Sequence, residues 1–233
     1  MKNKILSSEP NPDLLRDQWE SLGIAFSVNS TKTKHADPER TLIKTIQEFQ
    51  ESRKMLRLVL AWLDEYGELI HVERLRALMK ELSAINLSWL GGISNYMVQK
   101  GDLRWRAIEQ VVREHFGNPT PKFSTSKLDE LQAQRVGEDQ NFKKYGLTIA
   151  VTEAADSKKL LPFSTTIRSN LWLRMRTLFG TNWRADMASV LLLALASNPY
   201  QAERILGCAK ETAYRNWKSL KEADVEDLLK GAA

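Results

Sequence analysis

Apolar residues recur every three, four or seven positions along most of this chain, so the pattern predicts helices nearly throughout. In ADPERTLIKTIQEFQESRKMLRLVLAWLDEYG, Leu42, Ile46, Phe49, Leu56, Leu60 and Leu63 form one stripe, widened by Met55, Val59 and Trp62. Asp37 stands as N-cap, Pro38 falls in the first turn and Gly67 closes the segment, which predicts one long amphipathic helix. A short helix over residues 13–21 precedes it, across a polar loop. Three more are expected near 71–83, 86–99 and 102–116, the middle one bent by Gly91 and Gly92, because paired glycines weaken a helix interior. From Asn118 to Ser164 the pattern loosens. GNPTPKFSTS is rich in turn residues, and Leu147 to Thr152 is the only strand-like run.

The C-terminal third regains helical spacing. STTIRSNLWLRMRTLFG places Ile167, Leu171, Met175 and Leu178 on one face and stops at Gly180. TNWRADMASVLLLALAS reads as a second helix capped by Thr181 or Asn182. Asn198 before Pro199, with Gln201 three residues on, starts a short third helix that Gly207 ends. On a wheel of 209–223, Ala213, Asn216, Trp217, Leu220 and Ala223 share an arc of about 120°. Lys210, Glu211, Tyr214, Arg215, Lys218 and Lys221 share an opposite arc of about 140°. One side is built to pack and the other is polar and mainly basic.

These elements predict a mainly α fold: an N-terminal helical domain and a C-terminal helix-turn-helix domain of three to four helices, with any wing short or absent. The expected division is an arm with a short helix at 1–36, a helical domain at 37–118, a linker or small β element at 119–163, and the helix-turn-helix domain at 164–233. Charge sharpens the picture. The chain carries +5 overall, but residues 161–221 hold nine Lys/Arg against three acids, a surplus of six that leaves −1 for the rest. Such asymmetry points to a polyanion partner for the C-terminal third.

Other chemistry is sparse. One cysteine, Cys208, excludes an internal disulfide framework and fits a reducing, cytoplasmic setting. The longest apolar run, Met187 to Ala196, has ten residues, where a bilayer needs roughly 20. The N-terminus has no apolar stretch of signal-peptide length, so no membrane association is expected. His35, His71 and His115 are scattered, without metal-ligand spacing. Asp64, Glu65, Glu68 and Glu73 near His71 read as an acidic helix end. No phosphate-binding loop, nucleophile elbow or dinucleotide glycine pattern is present, so neither an enzyme nor a cofactor is expected. Trp183 and Trp217 read as core residues, and Arg174, Arg176 and Arg184 as solvated or phosphate-contacting.

AERILGCAKETAYRNWKSLKEADV resembles the winged helix-turn-helix domains of prokaryotic transcription regulators, a likeness that covers about residues 181–225. Ile205, Leu206 and Gly207 match the pair before the turn glycine. Thr212 and Ala213 match the start of the recognition helix, and Tyr214, Arg215, Trp217, Lys218 and Leu220 its body. The resemblance implies a helix lying in the major groove of double-stranded DNA, presenting Lys210, Glu211, Thr212, Tyr214, Arg215, Lys218 and Lys221. Lys210 and Arg215 would meet guanine edges or phosphates, and Thr212 and Tyr214 would fix the register on the backbone. It also implies a homodimer matched to two half-sites, with the N-terminal helical domain supplying dimerisation, effector binding or a protein-partner surface. Three departures stand out. Glu203 occupies the place of a small alanine, with Ala202 one position early; Cys208 and Ala209 replace Val-Ser and remove the N-cap hydroxyl; and too few residues follow Val225 for a two-stranded wing. They keep open an alternative in which an adaptor or antitoxin-like protein uses the same fold for protein contacts only.

Overall fold

The computed structural model describes residues 12–26, 34–48, 52–118, 120–225 and 227. Among these, thirteen α-helices follow in order: α1 (Pro12–Ser21), α2 (Pro38–Glu48), α3 (Arg53–Tyr66), α4 (Val72–Leu78), α5 (Ala84–Gln99), α6 (Arg106–Phe116), α7 (Lys127–Val136), α8 (Gln140–Lys143), α9 (Phe163–Ser169), α10 (Leu171–Phe179), α11 (Trp183–Leu192), α12 (Pro199–Leu206) and α13 (Lys210–Glu222). The described residues form no named strand, only three isolated bridges. The protein is mainly α.

The single long helix expected from Asp37 to Gly67 is two helices. Ser52 starts the second: its backbone is extended and its hydroxyl accepts the Met55 amide at 3.3 Å. A capping serine offers the chain a local alternative to continuing the helix. The apolar stripe survives the break, for Leu42, Ile46, Leu56, Leu60 and Leu63 are all buried. Phe49 lies outside the described residues.

At Gly91 and Gly92, where a bend was expected, α5 runs unbroken through both. Residues 86–97 are buried without exception, so α5 is the central helix of the first core. The glycines let aromatic rings approach it. A Cβ on Gly91 would lie 2.6 Å from the Tyr145 ring, and one on Gly92 only 2.2 Å from the Phe142 ring. The missing side chains make room for rings supplied from residues 140–145.

Residues 119–163 carry α7 and α8 and pack Phe142, Tyr145, Leu147 and Ile149 into the first core. The strand-like run at Leu147 joins only two of the bridges, Phe123 with Leu147 and Glu138 with Ala150.

A second correction of the same kind concerns residues 164–180, where one helix was expected and two are found. The break is Asn170, fully buried with φ −123° and ψ 118°. Its Oδ1 accepts the Leu173 amide, while its Nδ2 donates to the Ser21 hydroxyl at 3.0 Å and the Ala36 carbonyl at 2.9 Å. The break therefore pins the C-terminal helices to the α1–α2 connection. Beyond it the buried face of α10 is Trp172, Leu173, Met175 and Arg176, whereas Leu178 is 60% exposed. Trp172 and Met175 join a second core built from α10 to α13, and Leu173 joins the first. The two cores thus meet along α10.

Candidate nucleic-acid interface

Local sequence builds the α12–turn–α13 unit. Asn198 caps α12 by accepting the Gln201 amide at 3.0 Å, with Pro199 in the first turn. The Gln201 side chain answers by accepting the Ser197 amide at 2.9 Å, so the reciprocal cap closes on the residue before Asn198. Gly207 ends the helix in the left-handed region, φ +76°, where a glycine carries no steric penalty. Cys208 and Ala209 complete the turn. Cys208 is buried in the second core, and burial raises its thiol above the ordinary value. Ala209 is the N-cap of α13 and provides no side-chain hydrogen bond. Ala202, fully buried, fills the close-packed position on α12, and Glu203 beside it is half-buried.

The packing side of α13 is Ala213 and Leu220, both buried, with Asn216 and Trp217 half-buried. Ala223, assigned to the same arc, is exposed. On the far side Lys210, Glu211, Tyr214, Arg215, Lys218 and Lys221 are all exposed, and Thr212 is half-buried. Lys210 sits over the Tyr214 ring at 5.8 Å, and Lys221 over the Trp217 ring at 5.9 Å. Lys218 approaches Glu222 at 3.7 Å, an exposed i,i+4 pair of little strength. Helix α13, at 1.5 Å per residue, is about 20 Å long, a length that suits a groove.

The turn side of this unit rests on the N-terminal helices. Arg40 on α2 donates to the Ile205 carbonyl at 2.6 Å, and a Cβ on Gly207 would meet Ala77 of α4 at 3.5 Å. These contacts fall on α12 and the turn, and the basic residues of α13 stay exposed.

Behind the unit lies a buried ionic network that periodicity does not reveal. Arg176, assigned above to the solvated arginines, is fully buried and is corrected here. Its Nε and Nη2 donate to Asp186 Oδ1 at 2.9 and 2.6 Å, its two Nη atoms to the two oxygens of Glu39 at 2.7 Å each, and its Nη1 to the Leu69 carbonyl at 2.7 Å. Arg74, also buried, pairs with both Asp37 oxygens and with Glu39 at 2.6 Å. His71 Nδ1 stands 2.5 Å from Asp186, and its ring lies edge-on to Trp183 at 4.5 Å. Burial alone would raise the Asp186 carboxyl, but Arg176, the His71 hydrogen bond and Arg74 hold it well below the usual carboxylate range. Asp37 is lowered for the same reasons, its burial overcome by Arg74. The network welds α2 and α4 to α10 and α11, and so fixes where α13 points.

Sequence reasoning missed this cluster, although one signal was available. Asp186 is the only charge inside ADMASVLLLALAS, and an acid embedded in an apolar run needs a buried cation. The acids near His71 divide: Asp64 binds the Tyr96 hydroxyl at 2.7 Å and Lys100 at 3.2 Å, while His71 faces the interior. Among the described residues no group of three or more His, Cys, Asp or Glu could hold a metal ion, and no helix is long and apolar enough to cross a membrane. No protein family, curated protein or solved structure matches the chain.

Proposed function

We propose that the protein is a DNA-binding transcriptional regulator whose α13 lies in the major groove. One observation carries this reading: a capped helix, a glycine turn and a second helix leave an unbroken polar and mainly basic face in solvent. Arg215 has no ion pair among the described residues, so its guanidinium is available for a guanine edge or a phosphate. Lys210, Lys218 and Lys221 add phosphate contacts; Thr212 and Tyr214 set the register, and Glu211 limits which bases are tolerated. The protein acts as a homodimer on paired half-sites, with the helices before α9 serving dimerisation or a partner or effector.

The test is binding of the purified chain to a fluorescent duplex from its own promoter region across a salt series. With four cations engaged per protomer, log K should fall with log salt at a slope near −3.6 per protomer, as an order-of-magnitude expectation of about −0.9 per phosphate. Arg215→Ala should weaken binding by about 1–3 kcal/mol. No binding to any duplex at low salt would end the proposal.

A second reading, a helix-turn-helix fold used for protein contacts only, is favoured by one feature. Leu178 and Phe179 at the end of α10 and Leu195 in the connection after α11 are 60%, 36% and 48% exposed. Under that reading, replacing these three by Ser abolishes partner binding while Arg215→Ala leaves it intact.

A further inference from the structure

A cleft of about 750 Å³ opens between the first turns of α3, α7 and residues 150–153. That is within the size of small-molecule sites, about 300–1,000 Å³. Three guanidinium groups line it: Arg53, Arg57 and Arg135. Arg53 is held in place, its Nε 2.6 Å from Asp129 Oδ1, its Nη2 on the other Asp129 oxygen, and its plane 4.5 Å from the Trp89 ring. Asp129 is itself buried and fixed by the Ser126 hydroxyl at 2.7 Å. This pair forms a rigid wall whose charge is already met.

Arg57 and Arg135 differ. Arg57 lies one turn beyond Arg53, a spacing at which like charges repel on a helix. Its Nε donates to the Glu153 carbonyl at 3.1 Å, and neither it nor Arg135 makes an ion pair among the described residues. With the carboxylates of Asp129 and Glu153 counted, the lining keeps a surplus of one positive charge. Beside these groups Val136 is 66% and Val151 54% exposed, two apolar side chains left largely open to solvent. Charge without a partner and apolar surface without a cover meet in one concavity.

We propose that this cleft binds a small monocarboxylate with a short apolar arm. The carboxylate is gripped by Arg57 and Arg135, since guanidinium forks match carboxylate geometry. The arm lies against Val136 and Val151. The site is separate from α13 and stands whether or not that helix reads DNA.

Calorimetric titration of the full chain with hexanoate, acetate and inorganic phosphate, at low ionic strength, tests it. Saturable binding of hexanoate is expected, at least about tenfold tighter than acetate, because each methylene removed from water is worth about fourfold. Arg57→Ala and Arg135→Ala should each weaken hexanoate about tenfold or more, with an unchanged urea midpoint confirming the fold. Val151→Ser should shrink the preference for hexanoate over acetate. Three outcomes overturn the proposal: no saturable hexanoate binding, equal affinity for acetate and hexanoate, or binding indifferent to both arginine substitutions. Phosphate binding as tightly as hexanoate would also overturn it, since the apolar arm would then have no role.

Discussion

Replacing Arg176 by Met removes a charge from an enclosed part of the protein. All five N–H groups of this side chain are used, on Glu39, Asp186 and the Leu69 carbonyl, and its exposure is 0%. Methionine fills much of the volume but leaves three carboxylates, Asp37, Glu39 and Asp186, around Arg74 and His71. Asp186 keeps His71 and Glu39 keeps Arg74, so neither acid is orphaned, but both lose the donors of Arg176 in a place that water cannot reach. Breaking a buried pair from one side costs about 3–5 kcal/mol, a large part of a typical stability of about 5–15 kcal/mol. Urea unfolding followed by circular dichroism should show this loss as a lower midpoint. Because the network joins α2 and α4 to α10 and α11, the transition should also broaden or split as the two cores uncouple. In a double-mutant cycle with Glu39→Gln, the two changes should fall short of additivity by about 1–3 kcal/mol. A loss under about 1 kcal/mol, with additive partners, would refute the reasoning, for it would mean that water already reaches these ions.

The same network makes the protein acid-labile. The folded Asp186 and Asp37 carboxyls lie below their ordinary values, so their contribution is complete above those values and is lost as pH falls through the folded ones. The urea midpoint should hold from neutrality to about pH 5 and decline below about pH 4, and a midpoint still flat at about pH 2 would contradict this. Gly92→Ala should destabilise by about 1–3 kcal/mol in the same assay, since the new Cβ lies 2.2 Å from the enclosed Phe142 ring and outweighs the roughly 1 kcal/mol that alanine gains in a helix. Ala209→Ser should do the reverse. The N-cap backbone is already extended at φ −67° and ψ 148°, so a serine hydroxyl can cap α13, adding about 1 kcal/mol and raising the melting temperature by about 2–4 °C in a thermal scan.

The candidate interface was legible because its signals are short-range. Asn198 with Pro199, the lone Gly207, and apolar residues every three or four positions each act within about one helical turn, and apart from the exposed Ala223 they sit where the pattern put them. The exposure of the α13 face follows from the same periodicity, since polar residues opposite a packed arc stay in water. The arginine cleft was not legible, because α3, α7 and residues 150–153 approach one another only in the folded chain.

By itself, then, the sequence determined a helical protein with a basic, solvent-facing helix near its C-terminus. Tertiary structure alone decided how the long stretches are cut and joined. Ser52 divides one expected helix by a local cap, but Asn170 divides another with partners at Ser21 and Ala36, over a hundred residues away. It likewise made Gly91 and Gly92 seats for Tyr145 and Phe142, and turned Arg176 from a surface cation into a buried clamp on Glu39 and Asp186. Periodicity records which face of a helix avoids water. It carries no information about which distant side chain fills a gap or neutralises a charge there, because those energies exist only once the chain has brought the partners together.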